Sequence, residues 1–193
     1  MSKADDLYAF VFKGAIAQDA IIREINSNSE EEEELEISIK TKLPYDILDK
    51  DIIASAQKMA FVYTVIAAFE NSARKFIQDR LLEVVGADWW MSCVPQGVRD
   101  QADNRKRAEE QIRWHQGRGN SMIFYTQLPD LVSIIQNNIQ HFQDYVVSIE
   151  WARQIFSSLE RSRNVIMHSG ELSMNDIERV AMNIRDWVRQ VGG

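Results

Sequence analysis

The chain of 193 residues is poor in the residues that punctuate irregular structure: it has one Cys, three Pro and eight Gly. A single thiol, Cys93, forms no internal disulfide, and without a C-x-x-C pair there is no structural zinc knot; such usage suits a reducing compartment, and the cytoplasm is the expected location. So little Pro and Gly leaves few turns for a many-stranded sandwich or barrel, so an all-α protein is expected. The first residues, Met1 to Asp6, lack a basic leader pattern, and the apolar runs look shorter than the roughly 20 residues that span a bilayer. No membrane association is therefore expected. Metal and nucleotide chemistries also lack their signatures. His115 and His141 have no zinc-ligand spacing with each other or with Cys93, and neither H-E-x-x-H nor G-x-x-x-x-G-K occurs, so no metal or cofactor is implied.

What is present is 45% hydrophobic and 26% charged residues with a net charge of -7, ordinary for a globular chain long enough to bury a core unaided. The charge is unevenly placed. Residues 1–55 hold 6 of the 22 Lys+Arg and 13 of the 29 Asp+Glu, so the remainder is balanced at 16 of each. Thirteen of those later bases are Arg, whose planar fork suits carboxylate or phosphate. The acidic total therefore does not exclude a phosphate-binding surface.

Residues 1–50 are expected to be an extension. Leu7, Phe10, Val11, Ala15, Ile16 and Ile22 recur at helical spacing. The run Glu30 to Glu34 repels itself and reads as a solvated segment, or alternatively as a surface that mimics nucleic-acid charge. Leu35, Ile37 and Ile39 alternate as in a short strand before the Leu43-Pro44 turn.

Residues 51–193 are expected to be a helical domain. Met59, Val62, Ile66, Phe69, Ala73, Phe76 and Val84 mark the seam of a long helix that Gly86 can end. After Trp89 and Trp90, Pro95 opens a polar helix to about Trp114 bearing Arg99, Arg105, Lys106, Arg107 and Arg113. That helix either tracks an RNA backbone or, since Asp100, Asp103, Glu109 and Glu110 interleave, is a salt-bridged face. The two Trp either pack in the core or stack on bases. Pro129 starts a short helix, and two clear helices follow, from about Ser148 to Met167 and from Met174 to Val191, the second with Ser173 and Asp176 as an Asp form of the capping box.

One position on these helices points to chemistry. The inward stripe Ile149, Ala152, Phe156, Leu159 continues at the same spacing to Arg163. A cation there needs a paired acid, a cleft or a subunit interface. His168 follows at the helix end; on an unbroken helix it would sit about 140° round from Arg163, so convergence needs the helix to loosen near Met167, which Ser169-Gly170 can allow. Asn164 and His168, four apart, share a face. A lone His there could equally be a residue that compensates the helix dipole.

The segment Arg163-Asn164-Val165-Ile166-Met167-His168 resembles the R-N-x-x-x-H signature of the HEPN superfamily, small helical bundles that include many metal-independent ribonucleases. Glu70-x-x-x-Arg74 resembles the E-x-x-x-R of the family's first core helix, and Trp89-Trp90, Phe124-Tyr125-Thr126, Asp130-Leu131 and Ile134-Ile135 are similar to the HEPN type attached to a nuclear messenger-RNA surveillance endonuclease. The resemblance covers about residues 52–191. It implies an up-and-down four-helix bundle with additional short helices, which pairs as a homodimer so that two copies of the Arg and His line one cleft. It further implies cleavage of RNA by 2′-hydroxyl attack to a 2′,3′-cyclic phosphate, without cofactor. Carried over, His168 is the general base or acid, Arg163 stabilises phosphoryl charge, Asn164 orients His168 or the phosphate, and Glu70 holds Arg163 or Arg74. The family also implies a role in antiviral defence or as a toxin with a protein inhibitor or antitoxin, or, in relatives that have lost cleavage, a nucleotide-binding, RNA-binding or interaction module.

Overall fold

A computed structural model describes residues 34–112 and 114–192. The expected helix over 5–25, Glu30 to Glu33 and Arg113 lie outside them. By its contacts the chain divides into two units, Met1–Ile53 and Ala54–Gly193.

In the first unit, residues 34–42 form a helix, α1, where alternation suggests a strand. The local bonds explain the difference. Glu36 and Lys40, one turn apart, pair at 2.5 Å, and the Thr41 hydroxyl donates to the Ile37 carbonyl. Alternation over three aliphatics cannot compete with good helix formers where no strand pairs with them. After a 3-10 turn over Tyr45–Ile47, the Asp49 carboxylate accepts the backbone N–H groups of Asp51 and Ile52. It thereby caps the long helix α2, Lys50–Val85.

The remaining elements are α3 (Trp89–Cys93), α4 (Gln96–Glu110), a 3-10 turn over Met122–Tyr125, α5 (Leu128–Asn137), α6 (Ile139–Phe142), α7 (Ile149–Met167) and α8 (Met174–Val191). Among the described residues the protein is all-α. Its core is a bundle in which α7 packs on α5 and α8. The α2 aromatics reach across it: Phe69 meets Phe156 and Trp187 edge-on, and Phe76 meets Phe142, Tyr145 and Trp187.

The α2 seam is as expected through Ala73, then drifts. Ile77 and Leu81 are buried, while Phe76 is only half-buried and Val84 is exposed. An ideal helix loses about 20° per heptad against a three-and-four spacing, so the buried face moves on along a helix this long. The expectation about apolar length also needs correcting. By length and composition α2 could cross a membrane, holding an 18-residue window of mean hydropathy 1.6. Interspersed Ala, Ser and Thr hide the run from a search for consecutive large apolar residues, and its Met59, Val62, Ile66 and Phe69 are buried in the core.

The polar helix α4 ends at Glu110 rather than Trp114. The cause is downstream: Arg118 folds back to pair with Glu109 at 2.5 Å, and its backbone N–H donates to the same carboxylate. Of the α4 cations only Lys106, among the described residues, pairs with an acid of the same helix, Glu110 at 3.9 Å; two others are tied into the fold. Arg99 donates to the carbonyls of Met91 and Val94, and Arg105 donates to the Tyr125 carbonyl and the Asp130 carboxylate, each at 2.8 Å. Trp89 is buried and Trp90 packs against the core edge-on to it, so this pair is structural.

The two helices nearest the site have well-defined ends. The Ser148 hydroxyl oxygen accepts from the Trp151 N–H and starts α7. At α8 the Ser173 oxygen accepts from the Asp176 N–H, while the Asp176 carboxylate accepts a hydrogen bond from the Ser173 hydroxyl at 2.6 Å in place of the backbone N–H of a full capping box. The reciprocal form occurs at α5, where the Asp130 carboxylate accepts the Gln127 N–H.

Candidate active site

Three segments far apart in sequence build the site: one face of α2, the loop and 3-10 turn that precede α5, and the last turn of α7. The α2 face presents Tyr63, Ala67, Glu70, Asn71 and Arg74 to a cleft of about 640 Å³. Arg163, Asn164, Met167 and His168 line it from α7, and Arg118, Phe124, Thr126 and Gln127 line it from the intervening segment.

Glu70 is the centre of charge. Its carboxylate accepts from Arg74 Nη2 at 2.5 Å and from Arg163 Nη1 at 3.3 Å to both oxygens. The side chains are 10% exposed for Glu70, 11% for Arg74 and 19% for Arg163, so one acid is shared by two nearly buried cations and the trio keeps a net positive charge. This answers the demand that a cation on an inward stripe makes for a partner. Arg74 is also fixed by the Thr126 carbonyl and the Asn71 side chain, each at 2.9 Å, whereas its Nε is buried without a hydrogen-bond partner. Burial pulls the Arg74 pKa below its usual value; Glu70 opposes this, and the nearby Arg118 and Arg163 add to it. Arg74 is thus the immobile cation. Arg163, on longer bonds, keeps a face toward the cleft, with Nη2 donating to Asn164 Oδ1 at 3.3 Å.

His168 reaches this cleft by a different route from the expected one. The α7 helix does not loosen before Met167; it runs to Met167 and stops at His168. Ser169 N–H donates to the Ile166 carbonyl and Gly170 N–H to the Val165 carbonyl, the paired bonds of a Schellman ending, with Ser169 in the left-handed region at φ 60°. A Cβ on Gly170 would sit 2.8 Å from Val165 Cγ1 and 2.9 Å from the Val165 oxygen, so only glycine permits this close return. The turn is held from α2, where Ser55 donates to the Glu171 carboxylate and Met59 sulfur receives the Leu172 N–H. The cleft lining takes in both Arg163 and His168 at the C-cap without bringing them onto one stripe. Both Asn164 and His168 are exposed, and among the described residues the imidazole has no hydrogen-bond partner.

All five residues expected from the sequence, Glu70, Arg74, Arg163, Asn164 and His168, therefore line one cleft. Sequence reasoning missed Arg118, Tyr63 and the orientation of Phe124; an Arg between Gly117 and Gly119 was the only local signal. A separate groove of about 750 Å³ between α7 and α8 carries Arg153, Arg161 and Arg179 but none of these five.

A family model described as Swt1-like HEPN matches residues 65–192. The chain belongs to the Swt1-like HEPN family. This is the HEPN type that the Trp pair and the Phe-Tyr-Thr segment resemble, and the match takes in every cleft residue from Ala67 to His168. No curated protein and no solved structure matches the chain.

Proposed function

We propose that this HEPN protein is a metal-independent endoribonuclease that cuts single-stranded RNA. The observation that carries the reading is the Glu70 carboxylate bridging Arg74 and Arg163 on the wall of a cleft that also presents Asn164 and His168. In the proposed reaction a ribose 2′-hydroxyl loses its proton to a general base as its oxygen bonds to the adjacent phosphorus. The P–O5′ bond then breaks, and the leaving 5′-oxygen gains a proton, so the products are a 2′,3′-cyclic phosphate and a 5′-hydroxyl. His168 serves one of these proton transfers, since an imidazole exchanges protons near neutral pH. Arg163 donates charge-assisted hydrogen bonds to the phosphoryl oxygens, where charge grows in the transition state. Asn164 orients the phosphate or the imidazole. Glu70 and Arg74 do no chemistry; Glu70 holds Arg163, and Arg74 fixes Glu70.

The second proton transfer, and an anchor for the exposed imidazole, come in this reading from a second copy of the chain related by a twofold axis, so the working unit is a homodimer. Family membership is consistent with roles in antiviral defence or as a toxin restrained by an inhibitor protein.

His168→Ala tests the reading. In EDTA, cleavage is expected to fall by about 10²–10⁴-fold, with cyclic-phosphate ends from the unaltered protein and an unchanged circular dichroism spectrum. Undiminished cutting by the variant would remove the mechanism. The absence of a hydrogen bond to His168 favours one alternative, a module that binds RNA or nucleotides without cutting; RNA binding with no cyclic-phosphate product from any of several substrates would establish it.

A further inference from the structure

We infer that the cleft contains a nucleobase subsite whose platform is Phe124, so that the base beside the reacting phosphate stacks on its ring. This rests on the RNA reading above and goes beyond it in naming which part of the substrate the aromatic lining recognises.

The cleft lining carries two kinds of group. Arg74, Arg163 and Arg118 are cationic and suit a phosphodiester, whereas Phe124 and Tyr63, 37% and 39% exposed, are aromatic. An apolar ring face that lines a cleft gains free energy when a ligand covers it.

Phe124 is also held as a platform. Gly119, at φ 145°, lies against its ring, where a Cβ would come within 3.1 Å of Cδ2 and 3.5 Å of Cε2. Only glycine fits that contact and that backbone angle, so the loop backs the ring on one side while the ring still lines the cleft. The backing loop is itself pinned: Arg118 pairs with Glu109, and the Tyr125 hydroxyl donates to the Gly119 carbonyl at 3.3 Å. A rigid ring beside fixed guanidinium groups matches how unpaired bases are bound, by stacking on aromatic faces while the backbone meets cations. Ala67, the small residue between Tyr63 and Glu70 on the α2 face, leaves room at this end of the cleft.

The test uses the full chain and a short 2′-O-methyl RNA, which cannot be cut, with fluorescence anisotropy as the readout. Wild-type binding is measured to the intact oligonucleotide and to a series with one abasic position. Phe124→Ala is expected to weaken binding about tenfold, one abasic position is expected to weaken wild-type binding equally, and the two losses combined are expected not to exceed either alone. Phe124→Tyr keeps the ring and is expected to retain affinity, while Phe124→Leu keeps the apolar volume and is expected to lose it; these variants separate stacking from a packing defect. Equal binding by wild type and Phe124→Leu, or additive losses at every abasic position, would overturn the subsite and leave the ribonuclease reading intact. Failure of wild type to bind RNA at all would overturn both.

Discussion

Removing the Glu70 carboxylate should destabilise the protein far more than removing a surface acid. Glu70→Ala leaves the Arg74 and Arg163 guanidinium groups, 11% and 19% exposed, without their shared counter-charge. Breaking a buried pair from one side costs about 3–5 kcal/mol, because the remaining charge stays desolvated. Arg74 still reaches the Thr126 carbonyl and Asn71, and Arg163 can turn into the cleft, so the lower end, about 3 kcal/mol, applies. For a chain of this size each kcal/mol moves Tm by about 2–4 °C, which gives a fall of about 6–12 °C. Thermal and urea denaturation followed by circular dichroism would measure it. A double-mutant cycle sharpens the reasoning. Combining Glu70→Leu with Arg74→Met removes both charges, so the pair should cost at least about 1 kcal/mol less than the sum of the two singles. A Glu70→Ala loss below about 1 kcal/mol, or a strictly additive cycle, would refute the view that Glu70 is a desolvated clamp.

Two further outcomes concern the elements that carry the site. Ser169→Gly relieves a left-handed backbone that costs an L-residue roughly 1–2 kcal/mol, offset by the extra freedom of glycine in the unfolded chain, so a gain of about 0.5–1 kcal/mol is expected in urea titrations. Gly170→Ala drives a methyl into the Val165 carbonyl, so it should lower Tm and, by displacing the end of α7, impair RNA cleavage while Ser169→Gly does not. The Asp176 carboxyl lies below its usual pKa of 3.8, mainly because the Ser173 hydroxyl donates to it. A depressed acid contributes stability that is present above pH 3.8 and lost as the pH falls through its folded value, so Asp176→Asn should flatten the acid limb of the stability profile below pH 3.8; an unchanged limb would show that the Ser173 bond has no weight.

Much of this was readable along the chain. The periodicity of α7 and α8 is strong, their Ser caps stand where the apolar pattern starts, and Arg163 is conspicuous because the stripe before it is apolar. The same stripe called for a paired acid, a cleft or a subunit interface, and Glu70 supplies the acid on the wall of a cleft. Other parts were not readable. The end of α4 depends on Arg118 returning to Glu109, a contact made through a loop with no periodicity. Leu35, Ile37 and Ile39 misled because so short an alternation carries less weight than an ion pair one turn apart. The late drift of the α2 seam accumulates with helix length and escapes a fixed spacing rule.

By itself the sequence determined that the protein is helical and that its last two helices are amphipathic, for which local propensity and periodicity suffice; Arg163, Asn164 and His168 stood out together through the family resemblance. Only the tertiary structure decided that Glu70 would be shared by Arg74 and Arg163, that His168 at the C-cap of α7 would line the same cleft, and that Phe124 would join its lining. Those facts depend on which segments distant in sequence meet, and that is fixed by the packing of α2 against α7 and α8 around Phe69, Phe156 and Trp187.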